Sequence, residues 1–290
     1  MTAVRATLMR YFQPAALLGI LALWWLLPEA QASDPFTLLI AVLATPLVVL
    51  ALEWVSERHA AWRMTWYELA HDLFFVVLSF TAVRFCIDHL AEAGIAEAKA
   101  SLGLQTLWLQ QLPFPVQVAM VLVLIEYGQY WMHRAMHNWH PLWLTHAPHH
   151  HLTQLNALKG AVGNPVELFL IGLSIVGLFD FSLTAVFCAA HMLAAIGSFA
   201  HANVRFDPPR WYSFLFTTIE HHSLHHSLDY EATRSNYANC LILIDRLHGT
   251  FRAGEGVLLG QEGGRLTVGG IMLYTFMPII NALRGGRRPA

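Results

Sequence analysis

The sequence predicts an all-α fold, a polytopic membrane helical bundle of four spans plus a helical hairpin, with a cytosolic helical cap. Hydrophobic residues make up 56% of the 290 residues and charged residues only 12%, whereas soluble domains carry roughly 25% charged residues. Several apolar runs approach the roughly 20 residues that a membrane helix needs. Histidines cluster just beyond such runs, which indicates the cap. The net charge of -2 argues against nucleic acid binding, which requires a basic stripe.

Arginines next to the apolar runs indicate how the chain crosses the membrane, because cytoplasmic loops are enriched in them. Arg5 and Arg10 place the N-terminus in the cytosol, and Arg58 and Arg63 mark the loop after the second span. The hairpin is expected to turn near Asp180. This count places both histidine clusters on the cytosolic side. The predicted spans are 11–27, 35–53, 72–90 and 114–132, and the hairpin covers 166–200.

The chain is divided into three parts: N-terminal spans and loops (1–112), a metal-binding domain (113–255) and a cytosolic or interfacial tail (256–290). The run 271–283 is too short to span and is expected at the interface. The arginines of the tail lie at the inner face; they are Arg284, Arg287 and Arg288. One alternative stays open for residues 1–32, since Ala30-Gln31-Ala32 after an apolar run also resembles a signal-peptide cleavage site.

Histidine is unusually abundant, and 11 of the 17 lie within 133–151 and 221–226. His133 and His137 are four residues apart at the end of a predicted helix, so they share one face. The segments 146–150 and 222–226 both place histidines at i, i+3 and i+4. These three motifs bring eight imidazoles to one edge of the membrane.

Eight buried imidazoles need partners, which indicates metal rather than a packed core. A pH-sensing histidine patch is the alternative, although it would not require helical spacing in three places. Because a zinc site takes three or four ligands, eight imidazoles predict two metals. Imidazole suits iron, copper and zinc, so the metal stays open at this point. Isolated histidines are expected to be ordinary core residues: His59, His71, His89 and His191.

Two familiar metal motifs are missing or incomplete in this sequence. The H-E-x-x-H pattern of zinc proteases is absent. Soluble di-iron bundles use paired Glu-x-x-His motifs, whereas Glu68-x-x-His71 occurs once and lies far along the chain from the clusters. A ferritin-like site is therefore not expected.

Six segments around the clusters form a recognisable set. They resemble the fatty acid hydroxylase superfamily, also called the sterol desaturase family, of membrane histidine-box di-iron oxygenases, over about residues 115–255. The segments are Glu126-Tyr-Gly-Gln-Tyr130-Trp131-Met-His133-Arg134-Ala-Met-His137, Pro141-Leu-Trp143-Leu-Thr-His146-Ala-Pro-His149-His150, His201-Ala-Asn203-Val, Glu220-His-His222-Ser-Leu-His225-His226, Asn236-Tyr237 and Asp245-Arg246-Leu-His-Gly249-Thr250.

The resemblance implies a mushroom-like helical fold whose cytosolic cap holds two irons, with O2 as co-substrate and a C–H bond of a bilayer lipid as the target. Zinc can occupy such a site in purified protein. The resemblance leaves out His140, His151 and His221, and it implies no catalytic side chain beyond the metal ligands. By motif matching these ligands are His133, His137, His146, His149, His150, His201, His222, His225 and His226.

The sequence departs from the family pattern in two places. Many relatives have His-Pro-x-Glu where this chain has Asn164-Pro165-Val-Glu167, so a further ligand is in doubt there, although an amide oxygen can also reach a metal. Pro148 lies inside the second motif. Since proline is best tolerated in a first helical turn, His146 is expected just outside the helix.

Carboxylates beside the motifs are candidates for orienting the imidazoles, because metal-bound histidines usually donate their other N–H to a carboxylate or carbonyl. Glu126 and Glu220 are the candidates in this sequence. As an alternative, Glu126 pairs with Arg134.

Four functions remain open: a lipid hydroxylase, a desaturase with the same site, a zinc-dependent membrane hydrolase and a metal-binding transporter. No dinucleotide-binding or haem-attachment motif is found, so an oxygenase needs an external electron donor such as a reductase, ferredoxin or cytochrome. The expected location is a bacterial inner membrane with the site facing the cytoplasm. Sterols, fatty acyl chains, carotenoids, ether lipids and amino-acid lipids all remain possible substrates.

Overall fold

The computed structural model describes residues 3–283, and within them the chain forms helices, turns and two isolated backbone bridges but no sheet. The all-α fold class is therefore confirmed. The predicted inner-face arginines lie outside the described residues; they are Arg284, Arg287 and Arg288.

The N-terminal part consists of α1 (Ala3–Leu26), the one-turn α2 (Glu29–Ala32) and α3 (Pro35–Val55). Asp34 starts α3, since its carboxylate accepts hydrogen bonds from the backbone N–H of Phe36 (3.2 Å) and of Thr37 (3.0 Å). Pro35 at the first helical position fits the same start, because proline lacks an N–H that would be unpaired there. Asp34, in the short segment between the first two predicted spans, is thus the N-terminal cap of α3.

The third long helix, α4, runs without a break over Trp66–Ser101. Thr65 caps it by accepting a hydrogen bond from the backbone N–H of Glu68 at 3.2 Å. Its middle widens into π-helical turns at Ser79–Val83 and Ile87–Glu92. The helix therefore extends well beyond the predicted span 72–90.

The central helix of the bundle is α8 (Leu183–His201), which packs against α1, α3 and α5 (Phe114–Asn138). Small residues on α8, including Ala185, Ala189 and Ala195, are fully buried in the main apolar core and allow this close packing. Because α8 ends at His201, the core positions this residue. Between α5 and α8 lie α6 (His140–His150) and α7 (Pro165–Ile171).

The remaining elements are short and build the cap. They are α9 (Arg210–Leu215), α10 (Ile219–His225), α11 (Tyr230–Thr233), α12 (Leu243–His248), α13 (Val268–Leu273) and α14 (Met277–Leu283), with 3₁₀ turns at Ala60–Trp62, Leu107–Gln111, Lys159–Ala161, Val176–Leu178 and Tyr274–Phe276.

Four helices, α1, α3, α4 and α8, are long and apolar enough to cross a membrane by length and composition. Large apolar side chains on their outer faces are exposed, for example Trp54 (76%) and Val77 (61%). Such surfaces require lipid or another apolar partner. Together these features indicate an integral membrane protein.

Two predicted crossings differ in detail. The span 114–132 lies in α5, but α5 is not among the four candidate helices, because Gln117, Glu126 and Gln129 interrupt its apolar sequence. The hairpin 166–200 comprises the short α7 and the full-length α8. Between them, Asp180 accepts hydrogen bonds from Lys99 and from the backbone N–H of Thr106 (2.7 Å), so its charge is paired at the turn.

The segment that follows residue 255 packs directly onto the cap. The backbone N–H of Gly256 donates to the Ser223 hydroxyl (3.2 Å), and that of Gly260 donates to the carbonyl of His226 (3.2 Å). A Cβ atom at Gly256 would lie 2.2 Å from the Ser223 carbonyl oxygen. Only glycine fits at this contact, which joins the predicted tail to α10.

Gly256→Ala is expected to lower the free energy of unfolding by about 1–3 kcal/mol, the usual effect of overpacking a tight contact. Thermal unfolding in detergent measures it. Gly128→Ala is the matched control, since no atom lies within 4 Å of a Cβ there. Equal melting temperatures for the two variants would contradict the close packing of this segment on α10.

Candidate metal centre

The nine predicted ligands converge into two groups of buried imidazoles. Within each group, one nitrogen of every ring lies within 4.8 Å of those of the others. The rings of His150 and His226 belong to different groups and stack with centroids 4.5 Å apart, so the groups are neighbours. The five-histidine group is His133, His137, His146, His150 and His225, and the four-histidine group is His149, His201, His222 and His226.

Helical geometry divides each i, i+3, i+4 motif between the two groups. On α6, the i, i+4 pair His146 and His150 lies in the five-histidine group, while His149 points to the other. On α10 the order is reversed, since the i, i+4 pair His222 and His226 lies in the four-histidine group and His225 joins the five. Residues at i and i+4 share a stripe of the helix surface, and the i+3 residue lies about 100° around from the i+4 residue.

The hydrogen bonds of the five-histidine group favour a cation between two of its rings. Nδ1 of His133 donates to the Tyr237 carbonyl oxygen (2.6 Å), and Nδ1 of His225 donates to the Ser235 carbonyl oxygen (2.7 Å). A neutral imidazole has one N–H, so Nε2 of each ring carries only a lone pair. These two Nε2 atoms face each other at 3.0 Å. Two facing acceptors repel unless a cation lies between them.

The four-histidine group follows the same rule. Nδ1 of His201 donates to the Gly197 carbonyl (2.8 Å), and Nδ1 of His149 donates to the Val162 carbonyl (2.7 Å). Nε2 of His222 lies 2.9 Å from Nε2 of His201 and 3.1 Å from Nε2 of His226. Neighbouring nitrogens that bind one metal at about 2.1 Å at right angles lie about 3.0 Å apart. The donor spacing therefore fits a transition metal.

Burial keeps these imidazoles neutral. It lowers the pKa of His146 to about 3 and holds the pKa values of His225 and His226 well below their ordinary range. Both nitrogens of His137 are buried and have no hydrogen-bond partner in the described chain. Neutral rings with free lone pairs are ready to bind metal without losing a proton first.

Glu167 orients a ligand, a role that the sequence analysis did not assign. Its Oε1 accepts from Nδ1 of His146 (2.6 Å), and its Oε2 accepts from the backbone N–H of Asn164 (3.2 Å). Asn164 and Glu167 form a capping box at the start of α7. The Asn-x-x-Glu spacing in the sequence was the signal that could have located this carboxylate.

The two carboxylates expected to orient imidazoles bind other groups instead. Glu126 accepts from the backbone N–H of Cys240 (2.7 Å), which also excludes the pairing with Arg134 as its main contact. Glu220 pairs with Arg58 (2.8 Å) at the surface. The expectation that Glu126 and Glu220 orient imidazoles was therefore wrong. Backbone carbonyls and Glu167 accept the hydrogen bonds from the imidazole N–H groups instead.

The departures from the family pattern have structural explanations. The Asn164 side chain is fully used, since Oδ1 accepts from the backbone N–H of Val166 (3.0 Å) and Nδ2 donates to the Ile271 carbonyl (2.8 Å). Pro148 lies inside α6, which begins at His140 with proline at its first turn. The expectation that His146 lies just outside the helix was therefore wrong.

The isolated histidines are not part of either group. His191 is a satisfied core residue, since Nδ1 accepts from the Trp24 indole N–H (3.1 Å) and Nε2 lies 2.8 Å from the Thr45 hydroxyl. His71 is also buried, beside Asp72. His59 is half-buried against Glu255, and His89 is exposed on α4, so the core expectation was wrong for His89.

A third cluster, Glu68, His71 and Asp72, has metal-like spacing but is already neutralised by cations. The Lys159 ammonium lies 2.7 Å from carboxylate oxygens of both Glu68 and Asp72, and Arg265 also pairs with Glu68. Lys159 is only 1% exposed. This ion network is structural and positions the Lys159–Ala161 turn beside the ring of His201.

The fold and the site define a membrane protein with two neighbouring groups of buried histidines that could bind metal. Residues 118–250 match the fatty acid hydroxylase family, and all nine histidines lie within this match. The chain therefore carries a fatty acid hydroxylase domain, which confirms the resemblance seen in the sequence.

Curated proteins with sequence similarity act on lipids or sterols by their names. The chain is 27% identical over 222 residues to ornithine lipid hydroxylase OlsE of Rhizobium tropici, covering 73% of this chain and 66% of that protein. It is 28% identical over 152 residues to a Delta(7)-sterol-C5(6)-desaturase of Nicotiana tabacum (49% and 51%). It is 27% identical over 140 residues to alkylglycerol monooxygenase of Homo sapiens (47% and 31%).

The matches thus span less than two thirds of these relatives. No solved structure matches the chain. By their names these three relatives are a hydroxylase, a desaturase and a monooxygenase.

Glu167→Ala is expected to weaken metal binding by about 10- to 100-fold, the usual effect of removing a partner of a ligating histidine. Glu167→Gln should retain most of the affinity, because its amide oxygen can still accept from His146. Metal content after dialysis against graded chelator measures both, and Glu97→Ala on the exposed face of α4 is the control. Wild-type retention in Glu167→Ala would show that this carboxylate does not orient a ligand.

Proposed function

We propose that this protein is a membrane-bound di-iron oxidoreductase that uses O2 to hydroxylate a C–H bond of a lipid. The observation that carries the proposal is the convergence of nine buried, neutral imidazoles into two adjacent groups, in one of which the Nε2 lone pairs of His133 and His225 face each other. Nine donors exceed what one metal takes and suit two. The relatives supply the reaction class.

Each iron would bind one of the two groups, so that five imidazoles serve one iron and four serve the other. Two such irons would pass electrons from an external donor to O2. They would thereby supply an oxidising power that no amino-acid side chain has and that an unactivated C–H bond requires. Iron is preferred over zinc because a redox reaction needs a redox metal. Zinc can still bind the same imidazoles in purified protein.

The side chains of this protein orient the donors and exclude water. Backbone carbonyls of Val162, Gly197, Ser235 and Tyr237 hold four rings in one tautomer, and Glu167 holds a fifth. The Trp143 ring lies 5.2 Å from that of His137 and covers the five-histidine group from one side. Since all nine imidazoles are buried, the centre is protected from bulk water.

An apolar cavity near the centre provides a place for a lipid chain. It has a volume of about 280 Å³ and lies between α1, α5, α8 and α9. Met192 and Ile196 line it from α8, two to three turns and just over one turn before His201. An acyl or alkyl chain could lie in this cavity, against the helix that ends at His201.

The proposal includes an external electron donor, a reductase, ferredoxin or cytochrome, because hydroxylation with O2 consumes two electrons per product. The centre would face the cytoplasm of a bacterial inner membrane, where such donors are found. This orientation is supported by the arginines near the N-terminus and after the second apolar run.

A desaturase is the second candidate, favoured by the similarity to a sterol desaturase. It would use the same irons, O2 and donor, but it would remove two hydrogens and leave no oxygen in the lipid. The sequence and the geometry support both reactions equally.

Isotope labelling separates these reactions. In membranes supplied with a reductant and 18O2, the proposal predicts a lipid product heavier by one 18O atom, and none when the reductant is withheld. His225→Ala should abolish the product, whereas His140→Ala, an exposed histidine in neither group, should not. Mass spectrometry of the extracted lipids measures the label.

Each other outcome has a defined meaning. Loss of two hydrogens without label would assign the desaturase. Oxygen taken from H2 18O without any need for reductant would contradict the oxygenase proposal and favour a zinc-dependent hydrolase.

A further inference from the structure

Helix α6, like α10, contributes histidines to both groups. It supplies His146 and His150 to the five-histidine group and His149 to the four-histidine group. A small shift or bend of α6 therefore changes the donor spacing of both groups at once. Any residue that stabilises the shape of α6 affects both metals.

Pro148 creates a local defect in this helix. Proline has no N–H, so it cannot donate the helical hydrogen bond to the carbonyl of residue i−4, which is Leu144, and its ring also crowds that carbonyl. Both effects act on the turn from Leu144 to Pro148, which contains His146. The helix nevertheless continues to His150.

Thr275 supplies the hydrogen bond that Pro148 cannot make. Its hydroxyl donates to the Leu144 carbonyl oxygen at 3.1 Å, across 131 positions of sequence. A hydroxyl at this point satisfies an acceptor that would otherwise lack its helical partner.

Thr275 lies in residues 264–276, which we call the C-terminal strap. The strap has further attachments that do not depend on Thr275. The Gly264 carbonyl accepts from Nδ1 of His151 (2.8 Å), directly after α6. The carbonyls of Ile271 and Met272 accept from Asn164 Nδ2 (2.8 and 3.2 Å), next to the capping box that orients Glu167. The strap is therefore also held at the end of α6 and at the start of α7.

We propose that Thr275 is a positioning residue for the metal centre, acting through the Leu144 carbonyl to hold the proline-containing turn of α6. The inference rests on the proposed function only in that the nine histidines must bind metal. It assigns a role in the site to a residue 25 positions beyond the family match, which ends at residue 250.

The test is a cycle of substitutions read out by metal release. Wild-type protein, Thr275→Val, Thr275→Ser, Pro148→Ala and the double variant Pro148→Ala/Thr275→Val are loaded with iron in detergent. A coloured chelator then reports the rate at which metal leaves. Thr81→Val on α4 is the matched control, because its hydroxyl bonds the Val77 carbonyl at the exposed face of that helix.

Thr275→Val is expected to release metal roughly tenfold faster, in the range found for partners of metal ligands. Thr275→Ser should match the wild type, because the hydroxyl is kept. In the Pro148→Ala background, residue 148 regains its N–H and can bond the Leu144 carbonyl itself. In that background Thr275→Val should therefore change the rate of metal release little. If valine instead acted only by loosening the packing around residue 275, it would speed release equally in both backgrounds.

Three results would overturn the inference. One is wild-type release from Thr275→Val, and another is an equal acceleration by valine with and without Pro148. A third is wild-type protein that holds no metal at all, which would remove the premise. Failure of the proposed reaction alone is distinguishable, since wild-type protein would then still bind metal and the release rates could still be compared.

Discussion

The repulsion between unprotonated imidazole nitrogens is the constraint on which the rest of the site depends. Backbone carbonyl oxygens accept hydrogen bonds from the Nδ1–H groups of four rings, those of His133, His149, His201 and His225. The Nε2 lone pairs of these rings then have no proton to share with their neighbours. Buried at contact distances near 3 Å, such lone pairs are unfavourable without a cation. A bound metal ion would replace this repulsion with attraction to each lone pair. We therefore propose that the fold holds the imidazoles ready for metal.

The surrounding fold keeps these imidazoles in place by distributing them over elements that are anchored independently. Helix α8 carries His201 at the end of the most buried helix of the bundle, and α5 carries His133 and His137 at the end of another. The Lys159 ion network supports the turn next to His201. Its two carboxylates, Glu68 and Asp72, are paired with two cations, Lys159 and Arg265, so the network contains no unpaired buried charge.

Helical periodicity accounts for most of what the sequence could predict. Spacing alone identified eight histidines as candidate ligands, and the family resemblance added His201. All nine predicted residues meet in the structure, although their binding of metal stays a prediction. Spacing did not show that each motif divides between two groups. That division depends on how α6 and α10 face each other, which is a property of packing and not of either segment.

Contacts over long sequence separations account for what the sequence could not predict. Glu167 meets His146 across 21 positions and Thr275 meets Leu144 across 131, and neither contact leaves a periodic signal. The span 114–132 was harder for another reason. Apolar composition reports the environment of a helix, and α5 carries polar residues that are buried in protein instead of facing lipid, such as Gln117 and Glu126.

The most direct test of the central claim is the metal content of the detergent-purified protein by elemental analysis, with each group disabled in turn. The account predicts about two irons per chain in the wild type. His225→Ala should lower the iron of the five-histidine group and His222→Ala that of the four-histidine group, so each variant should retain about one. A wild-type protein without metal, or one whose metal is unaffected by both substitutions, would contradict the account.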